Sequence, residues 1–225
     1  MKKVVISLGG SIIVPDKVDY QYLKKFSKLI KKFSKKNKVV IVCGGGKTAR
    51  QYIDSLKHIV KDDKLLSIVG IAATRLNARL VSGVFDIKHD IPESLNDVKK
   101  LLKIHNLVIC GALGERANMT SDGNAAEVAA LIKADFFVNV TNVDGLYTND
   151  PRTHKDAKFI SAISFKDFII KIDKIKFKAG QHFVLDQSAA KIINGARIKT
   201  YIINKNLKNF KKVLKDKKFV GTTIS

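Results

Sequence analysis

Two glycine-rich turns near the start of the chain, Gly9-Gly10-Ser11 and Gly44-Gly45-Gly46-Lys47-Thr48-Ala49-Arg50, have the composition of an anion-binding floor. Each follows a short apolar run, at residues 4–8 and 38–43. Glycine at a strand end admits positive φ and lets backbone N–H groups approach a ligand closely. Where such a turn opens a helix, unpaired N–H groups and the positive dipole end face the anion. Two such turns at the ends of neighbouring strands predict a phosphate track between two ligands. Either turn alone is also compatible with ordinary tight-turn chemistry, and neither has the spacing of a dinucleotide fingerprint or a Walker loop. Arg50, four residues past the triple glycine, carries a planar fork suited to clamping a phosphate. Lys47 falls at the helix start, where its charge opposes the dipole and weakens a structural explanation. In a chain so rich in lysine, the plain reading of a surface lysine stays open for it.

Two further strings carry polar groups in bulk. Thr120-Ser121-Asp122-Gly123-Asn124 has the residue types of a helix N-terminus. Capping accounts for one of the three leading polar groups. The rest, after the glycine-containing loop 111–118, suggest a substrate site. The string Thr141-Asn142-Val143-Asp144-Gly145-Leu146-Tyr147-Thr148-Asn149-Asp150-Pro151 contains two turn signals, Asp-Gly and Asp-Pro.

Short apolar runs alternate with amphipathic segments, the pattern of an α/β protein with a mainly parallel sheet. Strands are expected at 4–8, 38–43, 106–110, 136–140 and 199–203. Tyr22, Leu23, Phe26, Leu29, Ile30 and Phe33 recur at helical spacing within 20–33. Further helices are expected from near Lys47, over 71–85, 94–102, 122–132, from a Ser164 cap to 172, and over 186–194. No low-complexity linker or internal repeat divides the chain, so residues 1–225 read as one unit whose two halves share a sheet.

Composition excludes several classes. No uninterrupted apolar stretch reaches the length of a membrane-spanning helix, and the apolar run after Met1-Lys2-Lys3 breaks too soon into Gly9-Gly10-Ser11 for a targeting segment. Cys43 and Cys110 each end an apolar run and are expected to be buried free thiols in a reducing cytoplasm, not a zinc site. The formal charge of +22 suggests a polyanionic partner. The lysines are nonetheless spread over what would be solvated helix faces, without interleaved aromatics, so specific nucleic-acid binding is not expected.

The string from Thr141 to Pro151 resembles the nucleotide-binding loop of the amino acid kinase superfamily, especially UMP kinases and aspartokinases. Gly-Gly-Ser and then Gly-Gly-Gly with Arg50 occur in that family's order. Residues 70–77, Lys178-Ala179-Gly180 with Asp186 and Ala189-Ala190-Lys191-Ile192-Ile193, and the ending Gly221-Thr222-Thr223-Ile224 are similar to archaeal UMP kinases. The resemblance implies a three-layer αβα sandwich, with an acceptor-binding N-terminal part and an ATP-binding C-terminal part. It implies transfer of a phosphoryl group from ATP to UMP, Mg²⁺ carried with ATP, no protein-built metal site, and a cytoplasmic homohexamer. By position, Gly10, Ser11 and Gly46 would line the transferred phosphate, and Thr141, Asn142, Tyr147 and Asp150 would hold ATP. Gly45, Arg50, Gly114, Asn118, Met119, Thr120 and Ser121 would hold the acceptor. Asp122 and Asp186 match acidic positions near the reaction centre.

Three departures accompany the match. Many superfamily members carry a lysine two residues before the paired glycines, where this chain has Ser7; Lys47 is the candidate replacement cation. The loop 113–118 is longer than in the archaeal enzymes. Where UMP kinases place a ribose-binding Asp, this chain has Ser67, with Asp62 or Asp63 as alternatives through a shifted loop. Two rival readings remain open: another kinase of the superfamily, such as an acetylglutamate kinase-like enzyme with Asn118 on the acceptor, and a non-catalytic nucleotide- or polyanion-binding protein on the same fold.

Overall fold

The computed structural model describes residues 1–116, 119–149, 151, 153–173 and 185–225. Its elements run β1 (Lys3–Leu8), α1 (Gly10–Ile13), α2 (Tyr20–Ser34), β2 (Lys38–Cys43), α3 (Gly46–Lys57), α4 (Asp63–Val84), α5 (Leu95–Ile104) and β3 (Leu107–Cys110). They continue with α6 (Ser121–Leu131), β4 (Phe136–Thr141), β5 (Leu146–Tyr147), β6 (Phe159–Ile160), β7 (Ala162–Ile163), α7 (Phe165–Asp173), α8 (Gln187–Ala196), β8 (Thr200–Asn204), α9 (Leu207–Leu214) and β9 (Thr222–Ile224).

Seven strands form one sheet in the order β3-β2-β1-β4-β8-β9-β7. The first five are mutually parallel, and β9 runs antiparallel to β8. Side chains alternate across a strand, and the sequence uses both faces. Val4, Ile6 and Leu8 of β1 join a core with Leu23, Phe26 and Ile30 of α2, Ala78 and Val81 of α4, and Phe210 of α9. Val5 points the other way, into a core with Val98 of α5, the alanines of α6, Phe168 of α7 and Ile193 of α8. The result is the expected αβα sandwich. Strands buried on both faces read as continuous Val/Ile runs because water meets neither side.

The expected strands and helices are all present, with shifted ends. The largest shift is in α4, which starts at Asp63 and not at 71. Asp62 caps it by accepting from the N–H groups of Lys64 and Leu65 at 2.8 and 3.4 Å, so Asp62 is already engaged as a helix cap. Asp122 does not open its helix: α6 starts at Ser121, and Thr120 is the cap. Ser164 caps α7 through the Asp167 N–H at 3.0 Å, as expected. The 22-residue α4 is long and apolar enough by composition to cross a membrane, yet it packs on α3, β2 and β3 with Leu66, Ile71 and Val81 buried. Cys43 and Cys110 are buried free thiols. Burial raises both thiol pKa values, that of Cys110 to about 12.

Candidate active site

Parallel strands deliver their C-terminal ends to one edge of the sheet, and loops there collect ligands. The chain leaves β1 through Gly9-Gly10 and β2 through Gly44-Gly45-Gly46, and these two turns pack backbone against backbone. A Cβ on Gly10 would overlap the Gly46 amide nitrogen, and one on Gly46 would overlap the Gly10 carbonyl. Gly46 also holds φ +63°, which side chains other than glycine rarely adopt. Asn77, buried on α4, fixes the second turn by donating to the carbonyls of Gly44 and Gly45 at 2.8 and 3.0 Å. Register therefore has no slack here: any side chain would separate the turns.

Above them opens a cavity of about 650 Å³, within the usual size of a small-molecule site. Gly10, Ser11, Gly45, Gly46 and Arg50 line one end, with Ser121 and Asp122 from the start of α6. Thr141, Asn142 and Tyr147 line the other, beside Asn139, Thr148, His154 and Lys171. The loop after β4 is pinned from below. Leu146 N–H donates to Thr222 Oγ1 at 2.7 Å, and Asn204 Nδ2 donates to Asp144 Oδ1 at 2.5 Å. The Tyr147 ring meets Phe159 with centroids 5.3 Å apart, and burial together with the Asp144 charge raises the Tyr147 pKa. Lys171 of α7 donates to the Thr148 carbonyl at 2.9 Å. Partial burial lowers its pKa.

The acidic centre is organised by hydroxyls. Asp122 keeps an edge on the cavity, but the protein packed around its carboxyl costs the charge its hydration. That burial, partly offset by a 2.6 Å hydrogen bond from Ser7 Oγ and reinforced by the Asp186 charge, pushes its pKa from 3.8 up to about 7. Thr120 Oγ1 accepts from Gly123 N–H at 3.0 Å and donates to Asp186 Oδ2, while Asp186 Oδ1 accepts from Ala189 N–H at 2.9 Å. One hydroxyl thus links the N-termini of α6 and α8. No three His, Cys, Asp or Glu converge among the described residues.

Several expected site residues stand apart from the cavity lining. Lys47 pairs with Asp16 in the loop after α1 and is not among the residues that line the cavity. Ser67 lies half-buried in the second turn of α4, and Gly114 sits in a loop tied down by its own N–H to the Glu93 carbonyl at 2.6 Å. Met119 packs toward Gly123, and Thr120 and Asp186 act as caps behind the wall. Asn118, Asp150 and the Lys178-Ala179-Gly180 motif fall outside the described residues. Sequence reasoning missed Asn139, His154 and Lys171. An asparagine in an otherwise apolar strand was a visible signal for the first; nothing distinguished the other two.

The model of the amino acid kinase family matches residues 2–204. Uridylate kinase of Archaeoglobus fulgidus is 37% identical over 224 residues, covering 99% of this chain and 100% of the relative. Uridylate kinase of Pyrococcus abyssi is 35% identical over 206 residues, 90% of either chain. The crystal structure of the Archaeoglobus fulgidus uridylate kinase covers all of both chains with a TM-score of 0.88 at 36% identity. That of UMP kinase from Ureaplasma parvum, 24% identical with a TM-score of 0.81, covers 100% of this chain and 98% of its own and shares the fold. On sequence and architecture together, the chain belongs to the amino acid kinase family.

Proposed function

We propose that this chain phosphorylates UMP with ATP, giving UDP and ADP, as a step of pyrimidine nucleotide biosynthesis. The observation that carries the reading is the single cavity spanning both ends of the glycine floor, in a chain similar over its full length to proteins named uridylate kinase. A phosphate oxygen of UMP would form the new P–O bond to the γ-phosphorus as the bond to the β–γ bridging oxygen breaks, its electron pair leaving on ADP. That oxygen is already a competent nucleophile, so the protein's work is positioning and charge neutralisation.

In this reading the backbone N–H groups of the floor, with Ser11, face the phosphate in transit. Arg50 and Ser121 hold the acceptor end, and Thr141, Asn142 and Tyr147 hold ATP, with Lys171 as a cation at that end. Mg²⁺ fits as a passenger of the nucleotide: phosphate oxygens would supply most of its ligands, with Asp122 the carboxylate on the cavity available to face it. When bound it would neutralise charge on the triphosphate. Residues 1–225 would act as one unit, since the seven-stranded sheet draws strands from both halves.

A cytoplasmic setting accords with the two free thiols. A homohexamer is proposed from the family resemblance, and exposed Tyr52, Leu65 and Leu76 on α3 and α4 offer apolar surface for it. The test is purified protein with ATP-Mg²⁺ against UMP, CMP, dUMP and acetylglutamate, following ADP and the phosphorylated product. UDP formation with UMP preferred is expected; turnover of acetylglutamate alone would replace the reading.

A further inference from the structure

Ser7 is a hydroxyl on a strand whose other buried positions are Val4, Val5, Ile6 and Leu8, and it is fully buried. It sits in the middle of the sheet, beside Val42 of β2 and Asn139 of β4. The period of the strand places it on the same face as Val5, beneath α6. A hydroxyl there is costly unless it is hydrogen-bonded. Its partner is the Asp122 carboxylate, at an Oγ–Oδ1 distance of 2.6 Å, the length of an O–H donor meeting a charged acceptor. Asp122 lines the cavity, and the Asp186 charge acts against it. Ser7 therefore connects a central strand of the sheet to a carboxylate that lines the cavity.

We propose that Ser7 is a positioning residue for phosphoryl transfer: its hydroxyl, fixed in the central strand, holds the Asp122 carboxylate in the orientation that the reaction uses. This rests on the phosphoryl-transfer reading above. Groups that act on a moving phosphoryl must be oriented before the reaction, because reorganising them during it consumes the stabilisation they give. A side chain from the sheet floor does this better than one from a loop. The position that carries a lysine in many superfamily members thus serves here as a hydrogen-bond donor to an acid, with no cation at that point of β1.

The experiment compares Ser7→Ala and Ser7→Thr, each alone and with Asp122→Ala, by steady-state kinetics in both substrates and by thermal unfolding. Ser7→Ala is expected to lower kcat by roughly tenfold to a hundredfold, the worth of a hydrogen bond to a charged group. Both KM values should stay within about twofold, because the orientation matters to the transition state and not to ground-state binding. Ser7→Thr keeps the donor and should recover most of the loss, and in Asp122→Ala, which leaves no acceptor for the hydroxyl, the Ser7→Ala change should cost nothing further. Unchanged kcat in Ser7→Ala overturns the proposal, as does an equal loss in the Asp122→Ala background. UDP formation by the wild type reports on the UMP reading separately. The variant-to-wild-type ratio, on whichever acceptor the wild type turns over, reports on Ser7.

Discussion

The floor and the rim of the cavity are built from different materials. The floor is backbone: two glycine turns in direct contact, tied at their carbonyls by Asn77. The rim is side chain: Arg50 at one end, Tyr147, Asn142 and Lys171 at the other, several of them partly exposed. Backbone leaves no choice of residue, because any Cβ occupies space that another main chain already fills. Side chains leave choice, because each contacts one ligand group and can be exchanged without moving its neighbours. Floor substitutions should therefore damage everything at once, and rim substitutions should separate one substrate from the other.

The largest effect is expected at Gly10. In Gly10→Ala the new methyl overlaps the Gly46 amide, so the two turns must separate. Turnover should be lost, with a fall in stability of more than about 1 kcal/mol, read by thermal unfolding alongside kcat. A Gly10→Ala variant with near-normal activity would mean that the floor yields easily and does not differ from the rim in this respect. Next comes Arg50→Ala, which removes a forked cation from the acceptor end. The KM for UMP should rise and that for ATP should hold, with a loss of about 2–3 kcal/mol in kcat/KM for UMP. Lys171→Met should do the reverse more mildly, raising the ATP KM on the order of tenfold at constant UMP KM. If both variants raise both KM values together, the cavity has no distinct ends.

The same contrast explains what could be read from the sequence. The floor was legible because glycine repeats at strand ends have few other causes, and the sheet because strands buried on both faces leave unbroken Val/Ile runs. The helix cap at Ser164 was legible from residue type. The start of α4 was not: Asp62 reads as an alternative ribose contact on a shifted loop, although an aspartate before Leu65-Leu66 carries a cap signal. Rim cations were the least legible. Lys171 is one of 42 basic residues, and only the packing of α7 against the loop after β4 selects it. Lys47, which stands beside the floor in sequence, is drawn off to Asp16; position along the chain fixes where a backbone goes but not where a long side chain ends.

A milder effect is expected where floor and rim meet, at Asp122. Its folded-state pKa lies near 7 against an ordinary 3.8, so the folded protein holds this proton more tightly than the unfolded chain. The stability it contributes is complete below about pH 4 and is lost as pH rises through 7. Above that, the protein folds around a charge it has poorly solvated, which is the strain expected of a functional carboxylate. Asp122→Asn is neutral at every pH and can still accept the Ser7 hydrogen bond. In nucleotide-free protein with EDTA, its melting temperature should exceed that of the wild type by a few degrees at pH 8, on the scale of about 1–2 kcal/mol. The difference should shrink steadily as pH falls toward 5. A difference that is constant across pH 5–8 would show that Asp122 titrates like an ordinary surface acid, and the hydroxyl–carboxylate centre would then be wetter than its packing implies.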